Sequence, residues 1–195
     1  MTAVKQDVAV LFILLLFSRR VTVGEVVEIS ILGNKLNIYA QLLRFLTDYI
    51  DEDYTIQSIQ AIDNWKYDNL VSLNSFSDIS EVVKDKIICI TIKIKNEYIG
   101  ISTEKNKNLF NVEGWINSYV EIKEREYDRF INTFVDTFKH NKSMKVCGIG
   151  KEIYVDFNLG VGQAIENAHN IDVWLINSDE NINFRRIKQK VIYIQ

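Results

Sequence analysis

Apolar and polar positions recur with two periods along this chain, and the switches between them mark out its elements. Val26–Leu32 (VVEISIL) reads as a strand, stopped by Gly33. From Lys35 to Ile50 the residues Leu36, Tyr39, Leu43, Leu46 and Ile50 fall at helical spacing, widened by Leu42, Phe45 and Tyr49. That stripe predicts a helix over 35–50 that Asn34 can cap. Asp51-Glu52-Asp53 ends it, and Tyr54–Ile62 (YTIQSIQAI) predicts a strand. Residues 63–77 are polar and irregular, pinned by Trp65, Tyr67 and Leu70, before a short helix over Asp78–Lys84. Lys86–Lys95 (KIICITIKIK) is the clearest strand. Its passage from continuous apolar to strict alternation fits a sheet with one buried and one wet face.

The second half follows the same logic. Asn96-Glu97 predicts a turn into a strand over Tyr98–Thr103, then a charged loop, Glu104–Asn108, and another strand over Trp115–Ile122. Glu124–His140 is the strongest helix: Tyr127, Phe130, Ile131, Phe134, Val135 and Phe138 form an aromatic stripe. Glu124, Glu126 and Asp128 sit at its start, and Lys139 and His140 at its end, both favourable to the helix dipole. Met144–Gly148 and Lys151–Phe157 predict a hairpin, Val161–His169 a short helix, Ile171–Ile176 a strand and Arg186–Ile194 a closing strand. Strands in hairpin pairs without regular helical crossovers predict an α+β fold. A mainly antiparallel sheet would be covered on one side by the helices 35–50 and 124–140.

Ahead of this pattern stands an uninterrupted apolar run, Val8–Phe17, followed by Ser18-Arg19-Arg20. Ten residues cover about 15 Å as a helix, half of the roughly 30 Å hydrocarbon core, so no stable membrane span is expected. The flanks also lack the small-x-small site of a cleaved signal. Two readings stay open: an element packed on the sheet, or an extension ahead of a domain starting near Val26. The expected organisation is residues 1–25 as an apolar N-terminal extension and 26–195 as one α+β domain. The expected location is cytoplasmic.

Composition narrows the function classes. The chain of 195 residues is 47% hydrophobic and 25% charged, ordinary globular proportions, with a net charge of −3. A mildly acidic protein has no bulk attraction for phosphate backbones, so nucleic acid is not an expected partner, whereas a cationic partner is steered toward it. Cys89 and Cys147 lie in apolar strand-like runs and read as buried free thiols, consistent with a reducing compartment. The chain contains no proline, so its turns depend on Gly, Asn and Asp.

Candidate chemistry is sparse. Gly148, Gly150 and Lys151 lack the four-residue spacing and the hydroxyl of a phosphate loop, and Ile165 stands where a dinucleotide fingerprint needs glycine. Those glycines read as hairpin or bulge positions. His169 lies between Glu166 and Asp172 at three-residue spacing, but without a second such pair no metal or other cofactor is expected. Neither cysteine is set beside a base in a polar context, no G-x-S-x-G elbow occurs, and no enzyme is expected. The remaining features are acidic: Asp51, Glu52 and Asp53, the Glu124/Glu126/Asp128 helix start, and Asp179 and Glu180. Paired with an exposed aromatic such as Trp115 or Trp65, they predict an electrostatic landing surface for a protein. Asp51, Glu52, Asp53, Trp115, Asp179 and Glu180 are its candidate residues.

In size, charge, composition and strand–helix pattern over about residues 26–195, the chain resembles the immunity proteins of bacterial polymorphic-toxin systems. The resemblance is one of general profile and transfers no residue. It implies a non-enzymatic inhibitor that neutralises a cognate toxin by binding it, the toxin being basic and nuclease-like. The alternative from another class is a small phage or mobile-element enzyme with an unrecognised site.

Overall fold

A computed structural model describes residues 26–50, 53–94, 97–117, 124–177 and 189–194. The expectations for Val8–Phe17, Asp51, Glu52, Asp179 and Glu180 lie outside these residues. Among the described residues the strands are β1 (Val26–Gly33), β2 (Tyr54–Ile62), β3 (Val71–Ser72), β4 (Ile87–Ile94), β5 (Glu97–Asn106), β6 (Leu109–Asn117), β7 (Met144–Tyr154), β8 (His169–Asn177) and β9 (Lys190–Ile194). The helices are α1 (Ile38–Ile50), α2 (Ile79–Val82), α3 (Glu124–Phe138) and α4 (Val161–Asn167). All nine strands join one sheet in the order β3-β2-β4-β5-β6-β1-β7-β8-β9. Every pairing is antiparallel except β8 with β9. The fold is α+β on a large, mostly antiparallel sheet.

Strand alternation gives the sheet two unlike faces. On β1, Val27, Ile29 and Ile31 belong to the main buried cluster, together with Ile88, Ile90, Ile92, Ile99, Ile101 and Cys147 of neighbouring strands. Leu42, Phe45 and Leu46 of α1 and Phe130, Phe134 and Phe138 of α3 belong to the same cluster. Gly114 is what lets α1 sit close, since a Cβ there would lie 2.8 Å from Leu42. The alternate side chains of the same strands face the other way, and they form two separate, smaller clusters. Ile62, Ile87 and Cys89 meet Tyr67 and Leu70 at one end. At the other end Leu32, Val146, Trp174 and Ile176 meet Phe157, Ala164 and Ile165, so α4 packs on this second face.

Several expectations need correction. The hairpin of Met144–Gly148 with Lys151–Phe157 is one continuous strand, β7, paired to β1 on one side and β8 on the other. Its glycines are close-approach positions: a Cβ on Gly148 would lie 2.9 Å from the Trp174 ring, and one on Gly150 would lie 2.0 Å from the Asn170 carbonyl oxygen. No turn forms there, but Gly150 does stand at a bulge, the other reading these glycines allowed: the register of β7 on β8 shifts on both sides of it. The loop Glu104–Asn108 is mostly strand. β5 continues to Asn106, Lys107 takes a left-handed φ of 57°, and β6 starts at Leu109 instead of Trp115. Helix α1 begins at Ile38, after turns in which the Ile38 N–H donates to the Lys35 carbonyl (3.4 Å) and the Tyr39 N–H to that of Leu36 (3.2 Å), while the Asn34 N–H donates to the Ser143 carbonyl (2.8 Å). Cys89 and Cys147 are buried free thiols, as expected.

Candidate functional site: an acidic trough on the second sheet face

Between its two end clusters, the second face of the sheet is polar. One cross-strand row runs Gln60, Cys89, Ser102, Glu113, Ser30, Gly148, Trp174 over seven strands. At about 4.8 Å per strand the row is about 29 Å long. The neighbouring row runs Ser58, Thr91, Gly100, Trp115, Glu28, Gly150. On the other side, Glu104 opposes Asn111, which opposes Leu32. Glycine, serine and threonine supply most of the floor, which makes it shallow between the two apolar ends. Ser30, Ser102, Thr91 and Gln60 are all buried.

Three glutamates line this trough. Ser102 and Ser30 are the direct cross-strand partners of Glu113, so Glu104 and Glu28, two residues further along their strands, are its diagonal neighbours on either side. Diagonal neighbours on a sheet lie about 7–8 Å apart, their Cβ atoms somewhat closer. The carboxylates therefore form a line across β5, β6 and β1, with Glu113 in the middle. Asn111 Nδ2 donates to Glu104 Oε1 (3.0 Å) and fixes that end. Among the described residues no three His, Cys, Asp or Glu side chains are grouped to hold a metal ion.

Electrostatics follow from this line. Loss of water around Glu113, then the charges of Glu104 and Glu28, push its carboxyl up to about 7. Its side chain is nevertheless exposed by area. Both hold in a trough with a dry floor and an open top, where desolvation is partial. Burial raises Glu28 as well, the backbone of Ile153 opposing by a hydrogen bond and Glu152 adding repulsion. Cys89 is pushed up to about 12 by burial and by Glu113 and Glu104, so it is an inert thiol that feels the same negative field.

This strain has a measurable sign. Unfolded, Glu113 titrates at about 4.5; folded, at about 7. A raised carboxyl favours the fold most below 4.5, and that advantage is lost as pH rises through 7. A fully enclosed group would lose about 3 kcal/mol; solvent access discounts this to about 1 kcal/mol. Glu113→Gln is expected to raise stability by about that amount at pH 8 and by nothing at pH 4, in urea unfolding. Equal effects at both pH values would show that Glu113 is not strained in the fold.

Trp115 lies in the trough. It is half-buried, and its indole spreads over Gly100, where a Cβ would come within 2.0 Å of Nε1 and 2.2 Å of Cε2. Glu28 stands opposite it on β1. Of the expected acidic residues, Asp53 is exposed just before β2, and Glu126 and Asp128 are exposed on α3. The structure does not bring Asp53 into the trough. Glu28 and Glu113 were missed by sequence reasoning because each stands alone in an apolar strand run, as in VEI and NVEGW, and Glu104 because it was read as part of a charged loop. The signal was present as a glutamate at the wet position of an alternating strand.

Other candidates resolve into structure. His169 is exposed and stacks on Tyr154 (6.3 Å between ring centres), while Asp172 accepts from the Tyr127 hydroxyl (2.5 Å). A groove of about 1080 Å³ lies between α1 and α3. Arg44, Asp48, Glu126 and Arg129 give its rim both signs of charge, and Arg44 already pairs with Asp48 (3.3 Å). No described helix is long and apolar enough to cross a membrane.

No known protein family matches this sequence, nor does any curated protein. Among solved structures, the chain is similar to the T6SS protein PA0821 of Pseudomonas aeruginosa, at 11% identity and a TM-score of 0.38. The match covers 66% of this chain and 41% of that one, so it spans less than half the length of that protein.

Proposed function

We infer that this is a non-enzymatic protein-binding module, an immunity-type inhibitor that neutralises a cognate bacterial toxin by occupying a basic surface on it. The observation that carries the reading is the line of Glu28, Glu113 and Glu104 beside Trp115, on an open face of the sheet. On this reading the polar stretch of the second face, between its two apolar end clusters, is what meets the partner. Carboxylates placed at a protein surface attract and orient a cationic partner, and an amphipathic indole beside them supplies contact area. Buried free thiols at Cys89 and Cys147 fit work in the cytoplasm.

The test is rescue. Cells expressing the toxin encoded beside this gene should survive when the chain is co-expressed. The double change Glu104→Lys and Glu113→Lys should abolish rescue and weaken binding by a factor of about 100 or more, since like charges across an interface cost several kcal/mol. Rescue by the reversed variant would remove this face from the interface. Failure of the unaltered chain to rescue would remove the toxin reading.

A further inference from the structure

The two edges of the sheet are unlike. One is β9, which begins at Lys190 and follows Arg185, Arg186 and Lys188 in the sequence. Basic residues at an edge strand keep other strands away. The other edge is β2, and β3 covers only part of it, pairing with Gln60 and Ala61. That cover ends where the Leu73 N–H donates to the Ile59 carbonyl (2.9 Å). Among the described residues no strand pairs with residues 54–57 on that side. From Tyr54 to Ile62 the strand carries no charged residue and no proline, so neither of those guards stands on it. Its one irregularity is the register shift between Ile56 and Ser58, at the inner end of the open stretch.

What the open stretch presents follows from the ladder. The Ile59 carbonyl accepts from Leu73, on the β3 side, so Ile59 and Ile90 form a non-hydrogen-bonded pair between β2 and β4. Alternation along β4 makes Ile92 with Ile56 and Ile94 with Tyr54 pairs of the same kind. The N–H and C=O groups of Tyr54 and Ile56 therefore point out of the sheet edge, whereas those of Thr55 point to β4. The side chains add to this. Tyr54 and Ile56 stand opposite Ile94 and Ile92, on the face of the main cluster, yet are 48% and 43% exposed. The same two residues thus lack a neighbour for both backbone and side chain.

These groups match a copy of themselves. A twofold axis through Thr55, normal to the sheet, sets Tyr54 of each copy opposite Ile56 of the other. Both are then hydrogen-bonded pairs, in which each residue donates to and accepts from the one opposite. Each aromatic ring meets a β-branched side chain on the main face, a favourable cross-strand pair. On the other face Thr55 meets Thr55. The pairing stops at Gln57, before the cover of β3 begins. Asp53 falls opposite Gln57, and the two Asp53 stand about 14 Å apart, beyond the Debye length of about 8 Å. No like charges lie face to face, and a contact of this symmetry closes at two copies.

We propose that the chain forms a symmetric dimer through β2, its sheet continuing into that of a second copy across Thr55. This surface is the sheet edge, apart from the trough, and it does not depend on the toxin reading. So short a pairing belongs to the weak, transient class of interface. In sedimentation equilibrium of the full chain, the mass should rise toward that of two chains above about 50 µM.

Thr55→Lys sets two like charges face to face at the axis, and Thr55→Glu does so with the other sign. Each should weaken association about tenfold or more. Mixed in equal amounts, the two variants should associate at least as tightly as the unaltered chain, because a pairing that sets residue 55 against itself joins Lys to Glu. Thr55 is exposed, but Lys93 stands opposite it on β4, so the melting of each variant is recorded. Amide exchange of the unaltered chain needs no variant: protection of Tyr54 and Ile56 should grow with concentration, while that of Thr55 stays constant. A mass that stays that of one chain, association unchanged in both variants, or a mixture that fails to restore it would each overturn the proposal. Protected Tyr54 and Ile56 amides in the monomer would also overturn it, by giving the edge to another occupant.

Discussion

Truncating Phe134 to alanine is expected to cost about 3–5 kcal/mol of folding free energy, the largest effect of any single change considered for this chain. Phe134 is fully buried. It meets Phe45 of α1 edge-on at 5.1 Å and stacks on Phe138 at 4.4 Å. Phe45 in turn touches Phe130 at 5.6 Å and Phe138 at 5.8 Å. A hole among planar rings backed by a sheet cannot close by small shifts, so the cavity term adds to the lost transfer energy. Phe134→Leu, which keeps most of the volume, should cost about 1.5 kcal/mol or less. Urea unfolding of the two variants checks this. A cost below about 1.5 kcal/mol for the alanine variant would mean that α1 and α3 are not locked through these rings.

The second large effect belongs to the trough. Gly100→Ala should cost about 1–3 kcal/mol, the range for overpacking, and should expel the Trp115 indole from its bed. The added Cβ would lie 2.0, 2.2 and 2.5 Å from three atoms of that ring, distances that no adjustment of a few tenths of an ångström relieves. The ring is half-buried and can swing outward, so the sheet survives. Emission of Trp115 should shift to the red as the ring gains water, against Trp115→Phe as the reference. An unchanged spectrum would show that the indole does not lie flat on Gly100.

How much of this was legible beforehand depends on the range of the signal. The helix predicted over 124–140 is α3, because its aromatic stripe repeats at 3.6 residues and the main cluster is built on that stripe. The strand in Lys86–Lys95 declared its faces through Ile90, Ile92 and Ile94, which are buried, and Thr91 and Lys93, which stand on the second face. Of the two readings of Gly148 and Gly150, the hairpin failed and the bulge holds at Gly150, because glycine has two uses. It permits a turn, and it lets another chain come close, and only the Trp174 ring and the Asn170 carbonyl decide between them. The start of α1 shifted because residues 35–37 close i→i+3 turns, which the apolar period does not distinguish from helix.

The site shows the same division. Trp115 was singled out as an exposed aromatic, and the acidic candidates were the residues that stand together in sequence. Charges adjacent in sequence are easy to see, yet Glu28, Glu104 and Glu113 meet only because β5, β6 and β1 pair in a particular register. By itself the sequence determined the inward and outward faces of the elements it identified, such as α3 and the strand in Lys86–Lys95. Those are properties of local period and residue chemistry. The tertiary structure alone decided that β1 enters between β6 and β7, and so which solitary glutamates become neighbours. Strand order is set by pairing energies summed over the whole sheet, and a one-residue slip in any pair would turn its glutamate to the buried face.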